Sequence, residues 1–508
     1  MGTSETKAAH QPTWTLGVEL GAGELVAALL GLGESRRLHL LDSGGARGRE
    51  ARFLIAGFDP CEVVEAYGEE LRVWRRGETS ARVERGPVLA LLDERLSSYG
   101  VEPEADSASP VRGACIASLS YELARRLERS RHVTVREDAR RGAEEPEAVL
   151  AFFDVLVVHD YASGETKLVG VGGSGERTRE ARETLLRAAG GARPGFDEGV
   201  AGPPPRSRSA SEPHGVEVPS ALSRASSNMT RGEYVAAVER IRGHIYAGDI
   251  YQANLTQQIS CALAEGETPE RVFLRLRRQH PASFAAFVRR GPSVVVSASP
   301  ERFLRVGLEK GADDSGGRVV EAWPIKGTRR RGATPEEDAR LRAELLASGK
   351  DAAENVMIVD LMRNDLGRVC RYGSVEVAEL CALQEHPTLF HLVSKVRGVL
   401  REGVTAGDLL RAAFPCGSIT GAPKIRAMEI ISEVEGAPRG VSMGALGYFS
   451  FDGAMDLSVA IRTVTFGPGG AARFNVGGGV VAESEAGAEY EESLLKARAL
   501  LRALRAEL

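Results

Sequence analysis

The chain has 508 residues, of which 43% are hydrophobic and 27% are charged. This composition is typical of a soluble protein that buries a sizeable core, and it excludes disorder throughout the chain. The formal net charge of -5 excludes a global basic surface for nucleic acid, so any ligand must be held by a local site.

The sequence also lacks the patterns of a membrane span, a signal peptide and a cysteine-based metal site. There is no run of about 18 apolar residues, and the start, MGTSETKAAHQPTW, lacks a basic-then-apolar signal pattern. The six cysteines form no C-x-x-C pair, which predicts neither a disulfide framework nor a zinc site. We therefore expect a cytoplasmic protein without membrane spans and without a nucleic-acid partner.

The first predicted region, residues 14–189, alternates short strands with charged helices. Apolar runs and helical spacing predict strands at 38–41, 52–57 and 151–159 and helices at 86–97 and 176–189. Residues 190–228 are rich in Pro, Gly, Ser and Arg and lack periodicity, which predicts a linker or a long surface loop.

The second predicted region, residues 229–508, is denser in structure. Thr230 and Glu233 form a capping-box pattern at the start of a helix over 231–247. Pro423 is expected at the first position of another helix. The remaining predictions are helices at 335–347, 353–369, 423–435 and 485–504 and strands at 283–290, 292–299, 447–451, 457–466 and 473–476. Helices mixed with strands without regular βαβ alternation predict an α+β fold.

Two acidic pairs lie on predicted helices. Glu489 and Glu492 share one helix face with Lys496, and Asp351 and Glu354 are three residues apart near another helix start. The first pattern is more often a solvated helix face, and the second is typical of acids that favour the helix macrodipole. Two such pairs from distant helices nevertheless suit Mg²⁺, which prefers oxygen ligands and keeps positions open for water and substrate.

Two glycine-rich stretches offer backbone amides that can bind a carboxylate or a phosphate. FNVGGGVVAE contains Gly477, Gly478 and Gly479, and PCGSITGAPK contains Gly417 and Gly421. A need for tight turns explains either stretch equally well, and the second lacks the spacing of a nucleotide P-loop.

Two further residues have both a structural and a chemical interpretation. Lys326, in WPIKGTRRR, directly follows an apolar residue, so it suits a surface turn or a partly desolvated nucleophile. His391 interrupts the apolar run TLFHLVSK, a pattern more typical of a core histidine than of a catalyst.

Taken together, an ordered series of motifs resembles the chorismate-utilising enzymes, the family of the anthranilate, aminodeoxychorismate, isochorismate and salicylate synthases. These motifs cover most of 229–508 and are GDIYQANLT (248–256), SASPERF (297–303), PIKGT (324–328), AENVMIVDLMRNDLGRV (353–369), LFHLVSKV (389–396), GSITGAPKIRAMEII (417–431), GALGYFSFDGAMDLSVAIRT (444–463) and the stretch from GGGVVAES to Lys496. The match over 14–185 is thinner, mainly LLDSGG (40–45) and SYE (120–122). The resemblance implies an α+β fold of the anthranilate synthase component I type, with large antiparallel sheets and surrounding helices.

The same resemblance implies chorismate as substrate and Mg²⁺ as cofactor. Glu354 and Glu492 match the metal carboxylates, and Asp351 and Glu489 match the acids beside them. Asp351 stands where a Glu is familiar, so we expect its shorter side chain to act through water. Substrate contacts are implied for Gln252, Ser418, Arg462, Gly477, Gly478, Gly479 and Lys496.

Two positions indicate which reaction of the family is run. Gln252 stands where isochorismate and salicylate synthases carry a water-activating lysine, and Lys326 stands where anthranilate synthases usually carry Ala. This combination resembles aminodeoxychorismate synthase component I. It implies that Lys326 attacks ring carbon 2 as the 4-hydroxyl leaves, that Glu301 assists as acid/base and that His391 lies near the leaving group. Ammonia then adds at carbon 4 and expels the lysine.

Partner proteins follow from the same resemblance. No cysteine lies in a G-x-C-x-G turn, so we expect ammonia from a separate glutamine amidotransferase subunit and a separate lyase that releases pyruvate and p-aminobenzoate for folate. The family's N-terminal region can hold tryptophan near LLDSGG, which makes tryptophan a candidate ligand. Two alternatives stay open, an anthranilate synthase component I and a non-catalytic chorismate- or tryptophan-binding regulator.

Overall fold

The computed structural model describes residues 13–44, 51–101, 109–127, 145–191, 222–309, 317–386 and 389–508. Most of the predicted linker at 190–228 and the glycine at the end of LLDSGG lie outside these ranges.

Eleven helices occur in the described ranges, and in chain order they are α1 (Ala22–Leu30), α2 (Val88–Tyr99), α3 (Ala124–Leu127), α4 (Gly175–Gly191), α5 (Arg231–Tyr246), α6 (Pro269–Gln279), α7 (Pro335–Leu346), α8 (Gly349–Gly367), α9 (Ala406–Ala413), α10 (Lys424–Glu435) and α11 (Ala486–Leu504). No helix of the described chain is both long and apolar enough to cross a membrane.

The strands of the same ranges are β1 (Thr13–Val18), β2 (His39–Asp42), β3 (Phe53–Gly57), β4 (Glu62–Tyr67), β5 (Glu70–Arg75), β6 (Arg82–Arg85), β7 (Ala114–Leu119), β8 (Ala148–Phe153), β9 (Val155–Asp160), β10 (Glu165–Val171), β11 (Ser223–Ser227), β12 (Gln252–Ala262), β13 (Phe284–Arg290), β14 (Ser293–Ser299), β15 (Arg302–Glu309), β16 (Gly317–Ala322), β17 (Ile325–Arg330), β18 (Glu376–Glu385), β19 (Leu389–Val399), β20 (Gly421–Ala422), β21 (Ala445–Ser450), β22 (Met455–Val459), β23 (Thr463–Phe466), β24 (Ala471–Val480) and β25 (Ala506–Glu507).

These strands form two large sheets. The first has the order β1-β10-β9-β3-β2-β13-β14-β23-β24-β12-β11-β25, with β20 beside β12. The second has the order β17-β19-β16-β15-β22-β21-β7-β8-β4-β5-β6, with β18 beside β19. Apart from the parallel pair β11–β25, the neighbours in the described sheets are antiparallel. The predicted α+β class with large antiparallel sheets is confirmed.

Strands from both predicted regions lie side by side in both sheets. In the first sheet β2 pairs with β13, with Leu40 opposite Phe287. In the second sheet β7 pairs with β21, with Ile116 opposite Tyr448. The division at 190–228 stays a prediction, and strands from both sides of it are interleaved in space. The predicted linker was wrong near its end, because Ser223–Ser227 form β11, which pairs with β12 in the first sheet.

The capping residues determine where two of the helices begin. Thr230 begins α5 as predicted: its Oγ1 accepts from Glu233 N at 3.3 Å, and Glu233 Oε2 accepts from Thr230 N at 2.8 Å. Ser348 caps α8, which therefore begins at Gly349, one turn before the predicted start. Pro423 was predicted inside α10, but it is the residue that precedes the helix.

Two predicted strands were wrong because each is broken in the middle. The predicted strand at 151–159 is divided at Asp154, whose carboxylate accepts from the guanidinium groups of Arg76 and Arg177. The predicted strand at 457–466 is divided before β23, where Arg462 adopts the left-handed conformation with φ of 50°. A non-glycine residue in that region is uncommon and often marks a functional constraint.

Apolar packing holds the site-bearing helices to different sheets. Ile358 on α8 belongs to a core on the second sheet, and α8 packs against β19. Leu500 on α11 belongs to a core on the first sheet, and α11 packs against β24. Both side chains are fully or almost fully buried, and burial of such a side chain contributes about 1.5–3 kcal/mol. The sheets thereby fix where the polar faces of α8 and α11 lie.

Candidate active site

The two predicted acidic pairs come together between α8 and α11. Lys350 Nζ on α8 lies 3.8 Å from Glu489 Oε1 on α11. Burial raises the pKa of Glu354, and the neighbouring Asp351 and Glu489 raise it further, against the opposing charges of Lys326 and Lys350. The four carboxylates thus share one electrostatic environment, although they belong to helices packed on different sheets.

Hydrogen bonds and ion pairs orient these acids. Lys496 Nζ lies 2.7 Å from Glu492 Oε1 and donates to the carbonyl oxygen of Gly477 at 3.1 Å. Burial raises the pKa of Glu492, but Lys496 and the other nearby lysines outweigh burial, and the pKa lies below its ordinary value. Glu489 Oε1 accepts from Ser484 Oγ at 2.7 Å.

The donor set can be tested against a metal ion. In the part of the chain that the structure describes, no three His, Cys, Asp or Glu side chains converge as a preformed metal site. Mg²⁺ does not require one, because it is usually bound through one or two carboxylates while waters and substrate oxygens complete its shell. Asp351 and Glu489 raise the pKa of Glu354, which shows that negative charge is concentrated beside this carboxylate, so the residues fit Mg²⁺.

A buried acid and a lysine lie at a second edge of the site. Glu301, between β14 and β15, is 4% exposed, and its Oε1 accepts from Ile325 N at 3.5 Å. Burial raises the pKa of Glu301 to about 7, although the charge of Lys326 and a hydrogen bond from Ser418 partly oppose that rise. Lys326 Nζ on β17 donates to the carbonyl oxygen of Ser418 at 3.4 Å. The site therefore holds a carboxyl that is half protonated near neutral pH beside a primary amine.

His391 and Arg462 form the next wall. His391 Nδ1 lies 2.9 Å from Thr328 Oγ1, across the β17–β19 pair. Burial, together with the charges of His386 and Arg462, lowers the pKa of His391 to about 4, so this imidazole is neutral near pH 7. Burial also lowers the pKa of Arg462, and no described carboxylate lies within ion-pair distance of its guanidinium. Arg462 is therefore a desolvated cation available to an anionic ligand.

Three glycines of β24 allow the close approach of β12 on one face and of α11 on the other. A Cβ at Gly477 would lie 1.8 Å from the carbonyl oxygen of Leu255, and a Cβ at Gly479 would lie 2.2 Å from Gln252 Nε2. A Cβ at Gly478 would lie within 3.3–3.7 Å of Lys496, Glu489 and Glu492. Gln252 itself is 1% exposed, and its Oε1 has no hydrogen-bond partner among the described residues.

A buried ion pair fixes the segment that carries Ser418. Lys424 Nζ on α10 lies 2.6 Å from Asp365 Oδ2 on α8 and donates to the carbonyl oxygen of Ala413 at 2.7 Å. Ser418 lies in the short connection between Ala413 and α10. The pair therefore ties this connection to the same helix that carries Glu354.

Arg439 supports the same connection from the other side. Its guanidinium pairs with Glu435 and donates to the carbonyl oxygens of Ile419 at 2.7 Å and Asn254 at 2.6 Å. The carboxylate of Glu122, in the SYE motif, accepts from the backbone amides of Arg439 and Gly440 at 2.8 and 2.9 Å. The N-terminal motif is thus connected to residues next to Ser418 and Gln252.

Comparison with known proteins agrees with this geometry. The family model described as chorismate binding enzyme matches residues 40–502. The chain belongs to the chorismate binding enzyme family. The family and the enzyme class predicted from the motifs are therefore confirmed.

Relatives of this chorismate binding enzyme carry two different names. It is 37% identical over 466 residues to aminodeoxychorismate synthase component 1 of Klebsiella aerogenes, which covers 92% of this chain and 93% of the relative. It is also 35% identical over 480 residues to anthranilate synthase component 1 of Thermus thermophilus. That alignment covers 94% of this chain and 95% of the relative. The crystal structure of anthranilate synthase component I from Streptococcus pneumoniae TIGR4 superposes with a TM-score of 0.70 at 27% identity, over 90% of this chain and 93% of that one. The first name agrees with the predicted function.

Three residues of the site in this chorismate binding enzyme were not predicted. Lys350 pairs with Glu489, Arg329 donates to Asp351 Oδ2 at 3.1 Å, and Thr328 hydrogen-bonds His391. Lys350 directly precedes an acidic pair in the sequence, which was a usable signal. Arg329 and Thr328 lie in a charged, polar segment whose strand pairing with β19 no local pattern indicates.

Proposed function

We propose that the chain is component 1 of an aminodeoxychorismate synthase, which converts chorismate and ammonia to 4-amino-4-deoxychorismate for p-aminobenzoate and folate synthesis. The observation that carries this proposal is the position of Lys326 Nζ, 3.4 Å from the carbonyl oxygen of Ser418 and beside buried Glu301. A lysine in that place supplies a nucleophile, and relatives with this name match over nearly the whole chain.

Substrate binding in this proposal uses the cations and amides of the site. Chorismate carries two carboxylates, and Arg462 is a half-buried cation to which no described carboxylate is paired. Lys496 and the β24 amides at Gly477, Gly478 and Gly479 are the second set of carboxylate contacts, and Gln252 and Ser418 contact the ring. Because Lys496 also pairs with Glu492, substrate and acid share that cation.

Bond making begins at Lys326. Its neutral amine attacks ring carbon 2, both ring double bonds shift by one position, and the bond from carbon 4 to the hydroxyl breaks. Glu301, with a pKa of about 7, donates the proton with which the hydroxyl leaves as water. The product of this step is a lysine adduct, and the Glu301 carboxylate then accepts the proton that the Lys326 nitrogen loses.

Ammonia reverses the same shift. It adds at carbon 4, both ring double bonds return to their original positions and the carbon 2 bond to Lys326 breaks, with proton transfer through Glu301, so that the Lys326 amine and the Glu301 carboxyl are regenerated. The balance is chorismate plus ammonia giving 4-amino-4-deoxychorismate plus water. His391 is neutral at working pH and lines the ring near the leaving hydroxyl, where an uncharged imidazole adds a hydrogen bond without a competing charge.

Mg²⁺ is the proposed cofactor. Glu354 and Glu492 would hold it, and Asp351 and Glu489 would orient its waters. When bound, the ion offsets negative charge on the ring carboxylate and on the departing oxygen. Lys350 lies near Glu489 and Lys496 pairs with Glu492, so the two lysines offset part of the negative charge of these acids.

Other partners are proposals of the same kind. A chain named component 1 works with a second component, and we propose a separate glutamine amidotransferase subunit that supplies ammonia, followed by a separate aminodeoxychorismate lyase. We also propose a cytoplasmic location and tryptophan as a ligand of the N-terminal region. The LLDSGG segment, which resembles the part of the family that can hold tryptophan, is the observation behind the last of these.

Anthranilate synthase component 1 is the second candidate, because the Thermus thermophilus relative and the Streptococcus pneumoniae structure bear that name. The test is purified protein incubated with chorismate, Mg²⁺ and ammonium, with the product identified by mass spectrometry. The proposal expects 4-amino-4-deoxychorismate, which an added lyase converts to p-aminobenzoate. Anthranilate as the main product would establish the alternative, and Lys326→Ala is the matched variant that should lose amination at carbon 4.

A further inference from the structure

A second cavity lies away from the residues assigned to chorismate. It has a volume of about 250 Å³ and lies between α2, α9 and the ends of strands in the second sheet. Its walls are mainly apolar and include Val306, Leu400, Leu409, Phe449, Phe451 and Met455. Cavities for drug-sized ligands begin at about 300 Å³, so this one is of a size for a single ring with a substituent.

One wall of this cavity is preformed. Phe451 stacks on Tyr99 with ring centroids 4.3 Å apart and an interplanar angle of 5°. Leu409 and Phe449 belong to the large core on the second sheet and are 1% exposed. Such rigid aromatic and aliphatic walls bind an apolar ring without first having to be ordered.

Arg318 is the one cation among the described residues that line the cavity. Its Nη2 donates to the carbonyl oxygen of Val404, and no described carboxylate lies within ion-pair distance of its guanidinium. Burial lowers the pKa of Arg318. A partly desolvated guanidinium without a counter-ion is unfavourable, and a ligand carboxylate would relieve that cost.

The acid in the cavity lining does not serve as this counter-ion. Asp93 accepts from Thr405 Oγ1 at 2.8 Å and from Gly407 N at 2.8 Å. Both donors lie at the start of α9, where the helix dipole favours a negative charge. Asp93 is therefore engaged at the helix end, and among the described residues no carboxylate compensates the positive charge of Arg318.

We propose that this cavity is a binding site for an aromatic monocarboxylate with a single ring, whose carboxylate pairs with Arg318 and whose ring packs against Leu409, Phe449 and Met455. An inorganic anion would leave the apolar walls exposed to water, and a neutral ring would leave Arg318 unpaired. The site is independent of the reaction proposed above, since it shares no residue with it.

Calorimetry on the full-length protein tests the proposal, with benzoate, benzamide and inorganic phosphate as probes. Because hydrogen bonds to charged groups are worth about 1.5–3 kcal/mol, benzoate should bind about tenfold or more tightly than benzamide or phosphate. Arg318→Met keeps the apolar stem and should remove that preference. Arg240→Met is the matched control, because Arg240 is exposed and its nearest carboxylate, on Glu433, is 3.9 Å away.

The position of the ligand separates this cavity from the chorismate site. A crystal soaked with 4-bromobenzoate should show bromine anomalous signal between Leu409 and Met455. Bromine only beside Arg462 or Lys496, or equal affinity for benzoate and benzamide, would overturn the proposal. Should Arg318→Met fail to fold, the proposal is still tested on the unaltered protein, by the affinities of benzoate and benzamide and by the position of the bromine.

Discussion

Replacing Glu301 with glutamine should stabilise the protein at alkaline pH and leave its stability unchanged at acid pH. Glu301 is 4% exposed, and burial raises its pKa from the ordinary 4.5 to about 7. Between these two values the unfolded chain has released the proton and the folded chain still holds it. The contribution of Glu301 to the free energy of unfolding therefore falls as the pH rises from 4.5 to 7 and is constant above that.

The magnitude follows from the size of the shift. Each pKa unit corresponds to about 1.36 kcal/mol, so a rise from 4.5 to about 7 amounts to roughly 3 kcal/mol of stability lost above pH 7. Glutamine has a similar shape and cannot ionise, so Glu301→Gln removes this loss. The variant should gain roughly 3 kcal/mol over the unaltered protein at pH 8 and little or nothing at pH 4.5.

Urea unfolding of both proteins at pH 4.5, 6, 7 and 8 measures the difference. Glu265→Gln is the matched control, because Glu265 is exposed and its substitution should give a difference near zero at every pH. A Glu301→Gln difference that does not change with pH would refute the argument that burial keeps this carboxyl protonated, and with it the role of Glu301 as proton donor.

Three further outcomes are expected. Lys424→Met removes the partner that lies 2.6 Å from buried Asp365, while Arg368 stays 3.5 Å from the same carboxylate. It should cost about 1–3 kcal/mol of unfolding free energy, part of which Asp365→Leu restores, and a cost near zero by urea unfolding would contradict this. Gly479→Ala places a Cβ 2.2 Å from Gln252 Nε2, so KM for chorismate should rise while the melting temperature stays within a few degrees; an unchanged KM would remove Gln252 from the substrate contacts. Chelation of divalent ions should abolish turnover, and added Mg²⁺ should restore it. Glu354→Gln should raise the half-saturating Mg²⁺ concentration at least about tenfold. Turnover that persists in a chelator would contradict Mg²⁺ as the cofactor.

Local signals predicted the elements whose ends are capped or whose apolar faces repeat. The start of α5 could be predicted because Thr230 and Glu233 satisfy each other's backbone amides within one turn. By contrast, β12, whose sequence is QANLTQQISCA, was not predicted. It is a strand because β24 lies against it over ten residues, and that pairing joins segments more than 200 positions apart.

In the site, too, local sequence predicted some features, whereas others depend on contacts between distant segments. The shared helix face of Glu489 and Glu492 follows from their spacing, and so does the proximity of Asp351 to Glu354. That the two pairs meet depends on how α8 and α11 pack on different sheets, which only the family resemblance indicated before the structure. The sequence also contains no sign that Glu301 is buried, since that burial is made by β14, β15 and the segment around Ser418 together.

The covalent role of Lys326 is the central claim, and the intact mass of the protein after incubation with chorismate and Mg²⁺ in the absence of ammonia tests it most directly. The account predicts a mass increase equal to chorismate minus one water, located on Lys326 by peptide mapping and absent from Lys326→Ala. An unmodified Lys326 in a protein that still forms 4-amino-4-deoxychorismate when ammonium is added, with turnover retained in Lys326→Ala, would contradict it.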